Sequence, residues 1–259
     1  MTPKPRILYV ISSGHSGSTL LDLMISRHDH IGTVGELKCV TTKPRTACLC
    51  GARPFSSCAF WREVDVHLKA SSGLALAELD LLADDARRFV AHNAAIYGAI
   101  AEVTGKVVLV DSSKSRRRLE GLLASDAFEV TPIHLTRDPR GVVFSHLRKR
   151  RSLVAYSRKY RHGNRNTQRV LESVAHVRVR YEDLASAPER ELGRVMRELG
   201  FELESQQLDW AGGARHSVGG NHMRHGRESV IRLDEEWRHA MSFWQRWAVR
   251  ALTVGSDSR

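Results

Sequence analysis

Residues 12–19 read SSGHSGST, a loop of serines, glycines, one histidine and one threonine small enough to let backbone N–H groups approach a ligand closely. Leu20, Leu21, Leu23 and Met24 follow at helical spacing, so the loop delivers those N–H groups to a helix N-terminus, where the macrodipole and unpaired donors favour an anion. The expected ligand is a phosphate or a group like it. The loop departs from a Walker A motif: only His15 and Ser16 separate Gly14 from Gly17, and no lysine precedes Ser18. Triphosphate hydrolysis would therefore lack its main cation. Further along, Glu36 in Val34-Gly35-Glu36, Lys114 in Asp111-Ser112-Ser113-Lys114 and Arg137 in Arg137-Asp138-Pro139-Arg140-Gly141 add a carboxylate, an ammonium and a guanidinium fork. Of these, the guanidinium fork suits a phosphate.

The elements that must position these residues are those of an α/β domain. Residues 7–11, ILYVI, form an apolar run without alternation, as expected of a strand covered on both faces of a parallel sheet. A short strand ends at Gly35, and further strands are predicted at 106–110, 131–136 and 177–181. Helices are expected over 74–103 (one long or two), 116–123, 142–147, 153–173, 188–199, with Pro188 at its start and Gly200 as its stop, and 234–249. Polar residues at strand C-terminal ends are where open α/β sheets bind ligands.

The 259 residues, 42% of them hydrophobic, fit one domain, 1–259, with an insertion at 38–61. The net charge of +11 favours anionic ligands without choosing among nucleic acid, membrane and phosphorylated cofactor. The Arg148–Arg151 tetrad lacks interleaved aromatics and reads as a solvated charged face. No apolar run approaches a membrane span, and no cleavage pattern follows the first apolar stretch, so a cytoplasmic protein is expected. The four cysteines, Cys39, Cys48, Cys50 and Cys58, all lie in the insertion. Their spacing is not that of a common zinc ribbon or finger, and metal, disulfide and free thiols all remain open.

The loop at 15–19 resembles the phosphosulfate-binding loop of sulfotransferases that use 3′-phosphoadenosine 5′-phosphosulfate (PAPS), a family whose P-loop-NTPase-like fold is related to nucleotide kinases. Three further segments resemble the family in order: HLTRDPRGVVFSHL, YEDL ending in Pro188, and HSVGGNHMRHGRESVIRLDEEW. The resemblance implies that His15, Ser16, Gly17, Ser18 and Thr19 bind the phosphosulfate, with His15 standing where the family usually has lysine or arginine. It implies that Arg137 and Ser145 bind the 3′-phosphate, helped by Arg224 and Gly226, and that Tyr181 lies against the adenine. His225 replaces the family's lysine. Glu36 is similar to the base glutamate of tyrosylprotein and some carbohydrate sulfotransferases, and Lys114 to a lysine set against the bridging oxygen. The Cys-rich segment is similar to an acceptor-side cap.

The resulting expectation is a central parallel sheet flanked by helices, with a small cysteine-containing cap, and a PAPS-dependent sulfotransferase in which Glu36, Lys114 and His15 are catalytic. No metal is required for that chemistry. The acceptor would be a small molecule, a glycan or a peptide, offering a hydroxyl or an amine, while its identity and the oligomeric state stay open. The rival readings are a nucleotide or small-molecule kinase of related fold, against which the missing Walker lysine speaks, and a basic nucleic-acid-binding module.

Overall fold

The computed structural model describes residues 4–212, 216–220 and 229–256. Its five strands form one parallel sheet: β1 Arg6–Ser12, β2 Ile31–Gly35, β3 Val108–Asp111, β4 Glu129–Thr136 and β5 Val177–Arg180, in the order β2-β3-β1-β4-β5. The central strand shows why its sequence lacks alternation. Ile7, Tyr9 and Ile11 enter a core with Trp61, Phe89, Ile96, Ile100 and Leu119 on one face, while Leu8 and Val10 meet Leu21, Met24, Leu192 and Val195 on the other. A strand buried on both faces selects apolar residues at every position, and each fully buried aliphatic side chain contributes about 1.5–3 kcal/mol.

Helices Ala86–Thr104 and Arg116–Leu123 cover the first face; Ser18–Ile25 and Pro188–Glu198 cover the second. Pro139–Leu147 and the C-terminal helices enclose a smaller cluster of Val143, Trp237, Met241 and Val249. Among the described residues no helix is long and apolar enough to cross a membrane.

Three expected elements differ. The periodic stretch 74–103 is a single-turn 3₁₀ helix, Leu76–Glu78, followed by the helix Ala86–Thr104, because the Asp85 carboxylate accepts the Arg88 N–H at 2.7 Å and starts the helix there. Leu76, Leu79 and Ala83 are buried without being in that helix, so their spacing reported burial and not helicity. The segment 38–61 is only partly loop: it contains the helix Cys39–Thr42, the 3₁₀ turn Phe55–Ser57 and the start of Ala59–Ser72, with Phe55, Cys58 and Trp61 in the first core. The closing helix is two, Trp237–Ala240 and Phe243–Thr253. Ser242 interrupts it with a capping box, Ser242 Oγ accepting from Gln245 N at 3.2 Å and Gln245 Oε1 from Ser242 N at 2.9 Å.

Because every strand is parallel, the C-terminal ends share one edge of the sheet. They run in the order Gly35, Asp111, Ser12, Thr136, Arg180.

Candidate active site

That edge collects the residues singled out from the sequence. Glu36 follows β2, Lys114 lies just beyond β3, the 15–19 loop follows β1, Arg137 follows β4 and Tyr181 follows β5. The loop is thus central, with a carboxylate and an ammonium on one side and a guanidinium and an aromatic ring on the other.

The loop turns sharply into its helix through two left-handed residues, His15 at φ 66° and Gly17 at φ 88°. A Cβ on Gly17 would fall 2.5 Å from Tyr181 Cδ2, so glycine is what lets the tyrosine ring close on the loop. No side chain caps the helix Ser18–Ile25. Ser16 is fully buried, and Ser16 Oγ and Ser12 Oγ have no hydrogen-bond partner among the described residues. Buried hydroxyls left in that state cost about 1–3 kcal/mol each. Oxygens of a phosphate or sulfate group held at the loop would satisfy them, so these residues fit a phosphosulfate.

Lys114 sits in the left-handed region at φ 54°, held by both neighbours. Ser113 N donates to Asp111 Oδ1 at 2.8 Å, and Ser115 is clasped by the Tyr9 hydroxyl, which donates to Ser115 O at 2.9 Å and accepts from Ser115 N at 3.1 Å. Asp111 is itself fixed in a fully buried group, accepting from Tyr97 OH at 2.7 Å and from Arg118 Nε at 3.2 Å. Lys114 Nζ then donates to Glu36 Oε1 at 2.7 Å and to Ser18 Oγ at 3.1 Å. Glu36 is positioned by its backbone, Glu36 N donating to Val218 O at 2.7 Å, and Oε1 also accepts from Gly220 N at 3.1 Å. Both side chains are about one-seventh exposed, at 15% for Lys114 and 14% for Glu36.

Sequence reasoning missed Asp22. Its buried carboxylate accepts from Thr33 Oγ1 at 2.6 Å and from Ser112 Oγ at 2.8 Å, tying the loop helix to the ends of β2 and β3. Burial pushes its pKa up to about 6, against the lowering effect of those two hydroxyls. An acidic residue inside Leu20-Leu21-Asp22-Leu23-Met24 was the available signal.

Arg137 is 8% exposed and anchors the other half of the site. Its Nη1 donates to His15 O at 2.9 Å, its Nη2 donates to Asp234 O and Oδ2, both at 2.9 Å, and its guanidinium carbon lies 4.3 Å from the centre of the Tyr181 ring. Gly141 lies under this guanidinium, a Cβ there falling 2.9 Å from Arg137 Nε. One turn on, Ser145 Oγ donates to Gly141 O at 3.0 Å, so Ser145 shares the helix face that Arg137 crosses. The Tyr181 hydroxyl accepts from Asp234 N at 3.0 Å. Glu182, expected to be structural, accepts from Asp138 N at 2.8 Å and joins the start of the Pro139–Leu147 helix to β5. Arg224, His225 and Gly226 lie outside the described residues.

The surroundings of His15 disfavour its charged form. Burial lowers its pKa, and the nearby cations Lys149, Lys114 and Arg137 lower it further. Lys149 Nζ lies 3.1 Å from His15 Nε2, so one member of the basic tetrad turns to the loop instead of facing solvent only. Arg148 keeps to the surface, 2.8 Å from Glu236. Beside Lys114 and residues 12–14, a cavity of about 260 Å³ opens toward His146, Tyr156, Lys159 and Tyr160 of the basic helix side.

The chain has known relatives in structure. It superposes on the sulfotransferase domain from the curacin biosynthetic pathway with a TM-score of 0.62 at 18% identity, covering 95% of this chain and 96% of that one. For the sulfotransferase domain from the Synechococcus PCC 7002 olefin synthase the TM-score is 0.63 at 20% identity, covering 97% and 95%. Mouse sulfotransferase SULT7A1, solved complexed with PAP, gives 0.52 at 9% identity, covering 96% and 84%. At these identities the likeness is one of fold. No curated protein matches the sequence. The family model described as "Sulfotransferase family" matches residues 6–205, which hold the loop, Glu36, Lys114, Arg137 and Tyr181, and on that match the chain belongs to the sulfotransferase family.

Proposed function

We propose that the protein transfers the sulfuryl group of PAPS to a hydroxyl, or an amine, of an acceptor, with Glu36 as general base. One observation carries this reading: Lys114 touches both the phosphate loop, at Ser18 Oγ, and the carboxylate of Glu36, so anion site and base are joined by a single cation. The mouse relative crystallised with PAP supports the choice of donor.

PAPS supplies a sulfuryl group activated on a phosphate. Glu36 takes the acceptor's proton as the acceptor oxygen bonds to sulfur and the bond from sulfur to the bridging phosphate oxygen breaks. Lys114 and the N–H groups of residues 16–19 hold the charge that arrives on the phosphate. His15, whose pKa is lowered, brings less charge than the lysine or arginine usual in the family, and Lys149 beside it supplies a cation. Arg137 and Ser145 hold the 3′-phosphate, and Tyr181 lies along the adenine. Arg137 is already paired with Asp234, so a 3′-phosphate shares or displaces that carboxylate. The acceptor approaches Lys114 and Glu36, the 38–61 segment being the cap by resemblance to the family, and a small molecule, glycan or peptide is the class of partner.

The test is thermal unfolding with PAP, the reaction's by-product, against AMP and ATP. A ligand that binds only the folded chain raises its melting temperature, and PAP alone offers the 3′-phosphate. A larger shift with PAP is expected; equal shifts would remove the donor assignment, and a larger shift with ATP would favour a kinase.

A further inference from the structure

Cys48, Cys50, Cys58 and His216 direct their ligand atoms at one point. The three sulfurs and the imidazole nitrogen all lie within 4.8 Å of one another. Cys50 Sγ is 3.5 Å from Cys58 Sγ, and His216 Nδ1 is 3.2 Å from Cys58 Sγ and 3.9 Å from Cys48 Sγ. A tetrahedral zinc with bonds of about 2.3 Å to sulfur and about 2.0 Å to nitrogen spaces its ligands about 3.8 Å apart for sulfur pairs and about 3.5 Å for sulfur and nitrogen. The sulfur–nitrogen separations of 3.2 and 3.9 Å lie either side of that value, and the Cys50–Cys58 sulfur pair, at 3.5 Å, is about 0.3 Å closer than ideal. A disulfide would require about 2.05 Å, and all four cysteines are free. Cys39, equally buried, belongs elsewhere, with its Sγ 4.0 Å from Glu36 Oε2.

We propose that these four residues bind one zinc ion in a closed Cys₃His site. Each ligand is placed by structure that does not depend on the metal. Gly51, at φ 98°, turns the chain so that Gly51 N donates to Cys48 O at 3.0 Å, folding Cys50 back beside Cys48. Cys58 stands just before the first residue of the helix Ala59–Ser72, between the buried anchors Phe55 and Trp61. The His216 ring stacks on Phe60, centroids 5.1 Å apart and 11° from parallel. Three thiolates and an imidazole select a borderline-soft ion over magnesium or calcium. Four protein ligands leave no open position, so the zinc is structural; binding it releases the three thiol protons.

The site fastens two segments that are distant in sequence, and what it fastens leads to Glu36. From His216 the chain runs along Gly35, Leu49 N donating to Ser217 O at 3.0 Å and Glu36 N to Val218 O at 2.7 Å, before Gly220 N reaches Glu36 Oε1 at 3.1 Å. The zinc clamps residues 216–220 against the 48–58 loop and so holds the two hydrogen bonds that set the carboxylate.

The assignment stands on ligand geometry and is independent of the reaction proposed above. The full chain, purified under reducing conditions from zinc-supplemented cells and dialysed, is expected to hold one zinc per chain by elemental analysis. Cys50→Ser, which alters the exposed ligand, is expected to cut retained zinc at least tenfold, whereas Cys39→Ser keeps it. Loss of zinc in Cys39→Ser, or its retention in Cys50→Ser, would overturn the choice of ligands. If Cys50→Ser fails to fold, the unaltered chain still decides: cobalt added to the zinc-free protein should give thiolate charge transfer and the strong visible bands of tetrahedral coordination. Folded protein with neither zinc nor those bands, or an intact mass two hydrogens short from a Cys50–Cys58 disulfide, would refute the site.

Discussion

Lys114 reaches from beyond the end of β3 to place its ammonium 2.7 Å from Glu36 Oε1, at the end of the neighbouring strand β2. Strand pairing alone brings the two together, since they lie 78 residues apart in the chain. The same ammonium lies 3.1 Å from Ser18 Oγ, so altering either partner also disturbs the 15–19 loop.

Base and cation are expected to separate kinetically. Glu36→Gln keeps shape and PAP affinity but lowers turnover by roughly a hundredfold or more, the usual worth of a positioned base. Lys114→Ala, which removes a charge already engaged before the reaction, is expected to weaken PAP binding as well. Calorimetric affinities beside turnover rates distinguish them; normal turnover in Glu36→Gln would move the base elsewhere.

Arg137→Ala is expected to weaken PAP binding at least tenfold and to lower the melting temperature, because the guanidinium also ties His15, Asp234 and Tyr181 together. Discounted for the half-exposed Asp234, the stability loss is about 1–2 kcal/mol. Arg148→Ala removes an exposed pair worth about 0–1 kcal/mol and should leave affinity unchanged. Titration of both variants with PAP checks this, and equal losses would mean the phosphate motif lies elsewhere.

Glycines of the loop are expected to differ. Gly17→Ala meets both a left-handed backbone, costing about 1–2 kcal/mol, and the Tyr181 ring. Gly14→Ala meets nothing within 4 Å and is expected to unfold like the parent. Denaturant unfolding of the two variants compares them directly, and a tolerated Gly17→Ala would show that the loop and Tyr181 can move apart.

Asp22 gives the fold a pH dependence of definite sign. Its pKa is about 6 in the folded chain against an ordinary 3.8, so at intermediate pH the folded state holds a proton that the unfolded state has released. The stability contributed by the protonated carboxyl is full below about pH 4 and falls by about 3 kcal/mol as pH rises through 6. Asp22→Asn can still accept from Thr33 and can donate to Ser112, without that loss. Its stability relative to the parent should therefore grow from about pH 4 to about pH 7 in urea titrations; a constant difference would mean that Asp22 is ionised throughout.

Much of the fold was legible because the signals are local. An unbroken apolar run at 7–11 followed by SSGHSGST and a helical pattern implies a doubly covered strand and a loop leading into a helix, whatever the rest of the chain does. The strands ending at Gly35 and Thr136 were legible as such, and those expected to end at Val110 and Tyr181 end one residue away, at Asp111 and Arg180, which places Glu36, Lys114, Arg137 and Tyr181 at strand ends. Burial and helicity were harder to separate: Leu76, Leu79 and Ala83 have helical spacing and are buried, yet lie ahead of the helix that Asp85 begins.

What the chain's order could not reveal is which ends become neighbours, because that depends on strand order, and strand order is settled by packing across the whole domain. Only the arrangement β2-β3-β1-β4-β5 puts Lys114 against Glu36 on one side of the loop and Arg137 against Tyr181 on the other. Only folding buries Asp22 between Thr33 and Ser112, and turns Lys149, one of four consecutive basic residues, toward His15. The cysteine spacing left metal, disulfide and thiol open because the fourth ligand atom comes from His216, 158 residues beyond Cys58, and distance along a chain carries no information about distance in space.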